Sequence, residues 1–266
     1  MKMKKYLVRP GHRASLDHVD PDDASLVKDK EHAVKRFLAL QSRLAELQEL
    51  LYATHETKIL IVLQGMDTAG KDGVIRHVVA SFNPQGTRVE SFKQPTEEEL
   101  DHDFLWRVHR KVPGNGEVVV FNRSHYEDVL VVRVHDLVPK NIWKQRYGQI
   151  KEFERTLADN GTLIVKFFLH ITKDEQRKRL QRRLEDRTKR WKFKKGDLTE
   201  RKLWKEYQQA YEDALSKTST QWAPWHIVPA NHKWYRDYVV ASILVDALER
   251  LHLKYPKTNV SGIVVK

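Results

Sequence analysis

The stretch "GMDTAGKDG" at 65–73 sets Gly65, Gly70 and Lys71 at the G-x-x-x-x-G-K spacing of a phosphate-binding loop, directly after the apolar run "KILIVLQ". Glycines at these points permit a tight turn in which successive backbone N–H groups face phosphate oxygens, and Lys71 adds a mobile positive charge. Ala69, Asp72 and Gly73 are counted with them as phosphate-contacting loop residues. Position 72 is Asp where such loops carry the Ser or Thr hydroxyl that binds magnesium, so the oxygen ligands of a metal must come from elsewhere. An acid at 72 also suits the first turn of the helix it begins.

A second group lies in "VVVFNRSHYEDVLV" at 118–131, where an apolar strand runs into Asn122, Arg123, Glu127 and Asp128. In a parallel sheet the carboxyl end of that strand opens on the same crevice as the phosphate loop, which puts carboxylates where an acid can hold magnesium. Such acids usually end the strand directly, so capping of a following helix is the competing reading for Glu127 and for Asp128. The third group is the basic segment 173–205, with fifteen lysines and arginines against six acidic residues, or +9 of the chain's net +12. Arg179 and Arg183 are four apart and share a helical face, and Lys189, Trp191 and Lys192 follow. Guanidinium groups suit phosphate oxygens through charge-assisted hydrogen bonds. A charge run is commonly a solvated face, but the scarcity of acids and the location, where a P-loop kinase carries its lid, favour a phosphate-contacting role.

These groups need elements to hold them. Apolar runs at 58–65, 87–92, 116–124, 162–171 and 225–230 predict strands, and the segments 25–53, 71–82, 96–112, 139–161 and 233–253 predict helices. Strands separated by helix-length segments imply a parallel sheet covered on both faces, hence an α/β fold of three α/β/α layers. At 266 residues and 40% hydrophobic composition one domain is expected, with 1–24 as an N-terminal arm and about 173–205 as a basic helical lid. No apolar run spans a membrane and no signal-peptide h-region is visible, so a cytoplasmic protein is expected. The absence of cysteine excludes disulfides, thiolate catalysis and cysteine metal sites.

"GMDTAGKDG", "FNRSHYEDV" and the stretch from Arg179 through "RWKF" to Asp197 resemble the three signature regions of the polyphosphate kinase 2 family. The resemblance runs from about 30 to 253 and departs at Arg187, where proline is expected in many relatives. It implies a thymidylate-kinase-like P-loop kinase that moves phosphate from inorganic polyphosphate to nucleotides, AMP to ADP and ADP to ATP, in a reaction open to reversal. Position by position, Asp67 and Lys71 match the Walker A aspartate and lysine, Asn122, Arg123, Glu127 and Asp128 the Walker B region, and Arg179, Arg183, Lys189 and Lys192 the lid cations.

The expected assignment is then Asp67, Lys71, Arg123 and Asp128 as catalytic residues, with Asp67, Glu127 and Asp128 holding one or two Mg²⁺ ions or, as a substitute, Mn²⁺. Inorganic polyphosphate and adenine or guanine nucleotides are the expected partners, and the long terminal helices would serve a homo-oligomer, dimer or tetramer. A conventional ATP-dependent nucleoside monophosphate kinase shares the loop but needs no lid this cationic. A nucleic-acid-binding protein would account for the charge, yet the seven tryptophans are scattered rather than interleaved with cations.

Overall fold

The computed structural model describes residues 2–259, 261 and 265. Five apolar runs form one sheet: β1 (Lys58–Gln64), β2 (Thr87–Ser91), β3 (Val118–Asn122), β4 (Thr162–His170) and β5 (Trp225–Pro229). Their order is β2-β3-β1-β4-β5 and every pairing is parallel. The helices are α1 (Lys30–Thr54), α2 (Lys71–His77), α3 (Glu97–Leu100), α4 (Trp106–His109), α5 (Val131–Val134), α6 (Lys140–Asp159), α7 (Lys173–Glu185), α8 (Lys195–Lys202), α9 (Trp204–Thr218) and α10 (Lys233–Glu249).

Alternation along the strands builds two cores. Ile59, Ile61 and Leu63 of β1 face a layer made by α1, α2 and α10, where Leu44, Leu51, Val74 and Leu244 are buried. Leu60 and Val62 face the opposite layer, with Ile150 of α6 and Tyr211 and Leu215 of α9. Both faces are therefore apolar, as a covered parallel sheet requires. The architecture is the expected three-layer α/β/α sandwich.

The chain leaves β1 toward β2 on one side and leaves β3 toward β4 on the other. The carboxyl ends of β1 and β3 thus flank a topological switch point, the place where open α/β sheets bind ligands. The residues that follow these two strands are the phosphate loop and the 123–128 turn.

Three expectations are corrected. The first helix starts at Lys30 and not at 25, because the Asp29 side chain accepts a hydrogen bond from the His32 amide and caps it. The segment 96–112 is two single turns, α3 and α4, rather than one helix. Thr96 and Glu99 close a capping box at its start, but Asp103 accepts from the Leu105 amide, a local turn that competes with helical continuation. The closing helix ends at Glu249, short of 253.

The N-terminal arm is ordered. Tyr6, Val8 and Leu16 are buried, and the Tyr6 and Tyr235 hydroxyls lie 2.6 Å apart. Helix α10 is consumed in the core against α1, so of the two terminal helices only α1 offers exposed apolar side chains, Val34 and Leu38. Among the described residues no helix is long and apolar enough to cross a membrane.

Candidate active site

The phosphate loop needs its glycines for measurable reasons. Gly65 has φ of 152°, and a Cβ there would lie 2.8 Å from the Leu169 carbonyl oxygen of β4. Gly70 has φ of 112°, and a Cβ there would sit 2.0 Å from Nη1 of Arg236. Both positions therefore exclude a side chain by conformation and by space. Among the described residues, the N–H groups of Gly70, Lys71 and Asp72 have no acceptor, leaving a row of donors at the loop's end. Ala69 is fully buried, so only its backbone can serve a ligand.

The Lys71 ammonium donates to the Gly65 carbonyl at 2.7 Å. Burial, helped by the neighbouring Arg123 charge, pushes its pKa down to about 8, against the opposing pull of Asp67, Glu127 and Asp72. Lys71 is thus a cation held at a cost in a confined space, a setting that an arriving phosphate relieves.

Across the crevice, Arg123 adopts φ of 63°, a left-handed conformation that is unfavourable for a residue with a Cβ. Its amide donates to the Leu63 carbonyl and its guanidinium lies 3.4 Å from Glu127. Glu127 also accepts from the side chain of Gln64, the last residue of β1, at 3.1 Å. Asp128 turns the other way. Its carboxylate accepts from Arg146 of α6 at 3.0 Å, and burial raises its pKa to about 6 even though Arg146 and Arg107 oppose the rise.

The expected ligand set of Asp67, Glu127 and Asp128 is therefore not brought together. Among the described residues no three acidic or histidine side chains converge as a metal site. Asp67 and Glu127 both act electrostatically on Lys71, whereas Asp128 is tied to Arg146.

Asp72 is engaged elsewhere, on β3 and the lid. Its carboxylate accepts from Asn122 at 3.0 Å and from Lys192 of the lid at 3.2 Å. Those hydrogen bonds hold its pKa below the usual carboxylate range in spite of partial burial. The residue that breaks the loop pattern joins three parts: the loop helix, the end of β3 and the lid.

The lid comprises α7, a turn holding Arg187, a short 3₁₀ segment Arg190–Lys192 and α8. Arg183 lies 3.4 Å from Asp67 and 3.7 Å from Asp197. Lys189 pairs with Asp186 at the turn. Arg179 is different. Its guanidinium donates to the carbonyls of Thr68, Ala69, Ala230 and Asn231 at 2.6–3.0 Å, and its Nε to Glu175. Its terminal nitrogens are engaged by backbone carbonyls, so it braces the phosphate loop against the segment before α10.

A family model described as "Polyphosphate kinase 2" matches residues 27–256. The chain belongs to that family. It is 57% identical over 261 residues to the AMP/ADP-polyphosphate phosphotransferase of Meiothermus ruber, covering 98% of each chain. To the ADP-polyphosphate phosphotransferase of Rhodopseudomonas palustris it is 44% identical over 271 residues, covering 97% of this chain and 94% of the other. The crystal structure of a polyphosphate kinase 2 from Arthrobacter aurescens TC1 matches with a TM-score of 0.92 and 47% identity, over 96% of this chain and 92% of that one.

Within this polyphosphate kinase 2 fold, Arg76 of α2 and Lys233 and Arg236 of α10, which carried no sequence signal, join Arg179, Arg183, Lys189 and Lys192 around one cleft beside Gly70 and Gly73, as does Arg182, part of the basic segment but not singled out in it. Arg236 is buried, donates twice to Asp237, and packs against the two glycines, while among the described residues its Nη1 has no hydrogen-bond partner. Gln64 was missed because it ends an apolar strand, although a glutamine at a strand's carboxyl end is a signal of its own.

Proposed function

We propose that the protein transfers phosphate from inorganic polyphosphate to AMP and ADP, with a divalent cation. The observation that carries this reading is the cleft beside the phosphate loop: eight lysine and arginine side chains line it against one carboxylate, Asp72. Cations gathered along one cleft raise the local concentration of phosphates, and a chain of many phosphates can engage more of them at once than a single nucleotide can. The activities for which the Meiothermus ruber and Rhodopseudomonas palustris relatives are named support the same donor, and the former supports both acceptors.

Asp67 and Glu127 fit a cation held by few carboxylates and completed by substrate oxygens, which is the usual manner of Mg²⁺. Mn²⁺ suits the same oxygen donors. Asp128 gives one carboxylate oxygen, Oδ1, to Arg146 of α6, so of the three acids it is the one drawn toward α6. When bound, the cation would offset charge on the phosphate oxygens.

The chain's own residues do the rest. A nucleotide phosphate oxygen forms the new P–O bond to the terminal phosphorus of polyphosphate, the bridging P–O bond breaks, and a chain one unit shorter leaves. The attacking oxygen is already ionised, so no side chain need remove a proton. Alignment and charge neutralisation are what such a transfer demands. Lys71 and Arg123 supply cations from the two sides of the crevice, and Arg183, Lys189 and Lys192 supply them from the lid.

The test is to incubate the protein with Mg²⁺ and ADP, with and without long-chain polyphosphate, and to measure ATP. Polyphosphate-dependent ATP is the expected result, together with polyphosphate-dependent ADP from AMP. Absence of both would overturn the proposal, and ADP formed only from AMP plus ATP would assign a conventional nucleotide kinase.

A further inference from the structure

The turn that carries Arg123 and Glu127 is anchored from behind. His125 and Tyr126 point into the core under the sheet, and both are fully buried. The Tyr126 hydroxyl donates to Glu154 Oε1 of α6 at 2.8 Å, and His125 Nε2 lies 3.2 Å from the same oxygen. Lys166 of β4 donates to Glu154 Oε2 at 2.6 Å, to the Tyr126 hydroxyl at 2.7 Å and to the Thr218 carbonyl at the end of α9 at 2.9 Å. Glu154 and Lys166 are wholly inaccessible. A buried ion pair of this kind is often no more stabilising than well-packed apolar residues of the same volume, so stability alone gives no reason for it. A second observation sits next to it in sequence. Arg123 is held in left-handed backbone, and strain of that sort persists only where the surroundings over-determine it.

We infer that Glu154 and Lys166 are positioning residues for phosphoryl transfer. The pair grips His125 and Tyr126 and so fixes the strained turn that sets the Arg123 guanidinium and the Glu127 carboxylate beside Lys71. The inference rests on the phosphotransferase reading of the site. Neither residue reaches the crevice, and both act through the turn. Burial lowers the Lys166 pKa to about 8, and Lys166 with His125 keeps the Glu154 carboxyl below its usual range against burial, so the pair is ionised at neutral pH.

Two double variants separate grip from charge. Glu154→Leu with Lys166→Met removes both charges and the oxygens that hold the turn. Glu154→Gln with Lys166→Met removes both charges but keeps a carbonyl oxygen for Tyr126 and His125. The readouts are kcat and KM for ADP and polyphosphate, thermal midpoint, and amide hydrogen exchange of residues 123–128. The Leu variant is expected to lose about 10- to 100-fold in kcat, on the scale of a small misplacement of reacting groups, with KM changed less than about threefold and faster exchange in the turn. The Gln variant is expected to recover most of that kcat.

Wild-type kcat and wild-type exchange in the Leu variant would overturn the inference, as would equal losses in both variants with exchange in the turn unchanged. Should the Leu variant not fold, Tyr126→Phe removes only the hydroxyl at the junction. A lower kcat at constant KM then supports the grip, and an unchanged kcat overturns it. A wild-type protein that makes no ATP from ADP and polyphosphate would remove the functional reading, while the exchange comparison would still decide whether the pair holds the turn.

Discussion

Replacing Arg179 with methionine separates a brace from a substrate contact. Arg179 and Arg183 are four apart on α7 and look equivalent in sequence, yet the structure gives them different neighbours. Arg179→Met keeps most of the apolar stem and removes the donors to four backbone carbonyls, two in the phosphate loop and two in the segment before α10. A hydrogen bond from a charged donor contributes about 1.5–3 kcal/mol, and breaking a buried, paired charge typically costs about 3–5 kcal/mol. Some of the freed carbonyls can take up water, which puts the expected loss near 3–4 kcal/mol.

With a urea m-value of roughly 3 kcal/mol/M for a chain of this size, the unfolding midpoint should fall by about 1 M. Arg183→Met removes longer, partly solvated pairs at 3.4 and 3.7 Å and should cost under about 1 kcal/mol, while lowering kcat/KM by about 10²–10³ as a positioned cation. Urea denaturation of both variants, followed by polyphosphate-dependent ATP synthesis, measures the contrast. An Arg179→Met protein with a wild-type midpoint and lost activity would refute the brace and return Arg179 to direct phosphate contact.

Other expectations follow from the same geometry. Because the Lys71 pKa is lowered to about 8, the free enzyme loses that positive charge as pH rises through about 8, so kcat/KM should fall there. Bound polyphosphate favours the charged form, so the limb in kcat should lie higher. Lys71→Arg, which stays charged, should abolish the kcat/KM limb and distinguish it from titration of Lys166, whose pKa is also lowered to about 8. Asp72→Asn removes the anionic partner of Lys192 and should lower KM for polyphosphate with a stability change below about 1 kcal/mol, read by steady-state kinetics and denaturation; an unchanged KM would show that the contact does not compete with substrate. Gly70→Ala places a methyl group against the Arg236 guanidinium in a backbone region hostile to Cβ, and should destabilise by more than about 1 kcal/mol with loss of activity, whereas Gly196→Ala, with open space around it, should not.

What the sequence made legible depended on how far apart the cooperating residues lie along the chain. Gly65, Gly70 and Lys71 act within one turn, so their spacing was enough to read the loop, and alternation of apolar runs was enough to read a covered parallel sheet. Arg179 could be read as a cation but not as a brace, because the carbonyls it holds lie 110 and 111 positions upstream and 51 and 52 downstream. Arg236 was invisible for the same reason, since only packing of α10 beside α2 brings it to Gly70. Asp128 was assigned to a metal because it follows β3 at the crevice, in the stretch that resembles the family's Walker B region. Neighbours in a turn point in different directions, and Arg146 lies on the side Asp128 faces.

Asp72 shows the limit most clearly. Its oddness was plain from the loop pattern, but its partners are Asn122, fifty positions away, and Lys192, 120 away. A hydroxyl at 72 could neither hold a lid cation by charge nor compete with a phosphate for it. A carboxylate can do both. It ties Lys192 of the lid to the loop helix, and the KM of Asp72→Asn for polyphosphate decides whether that tie yields to a polyanion carrying more negative charge than the single group.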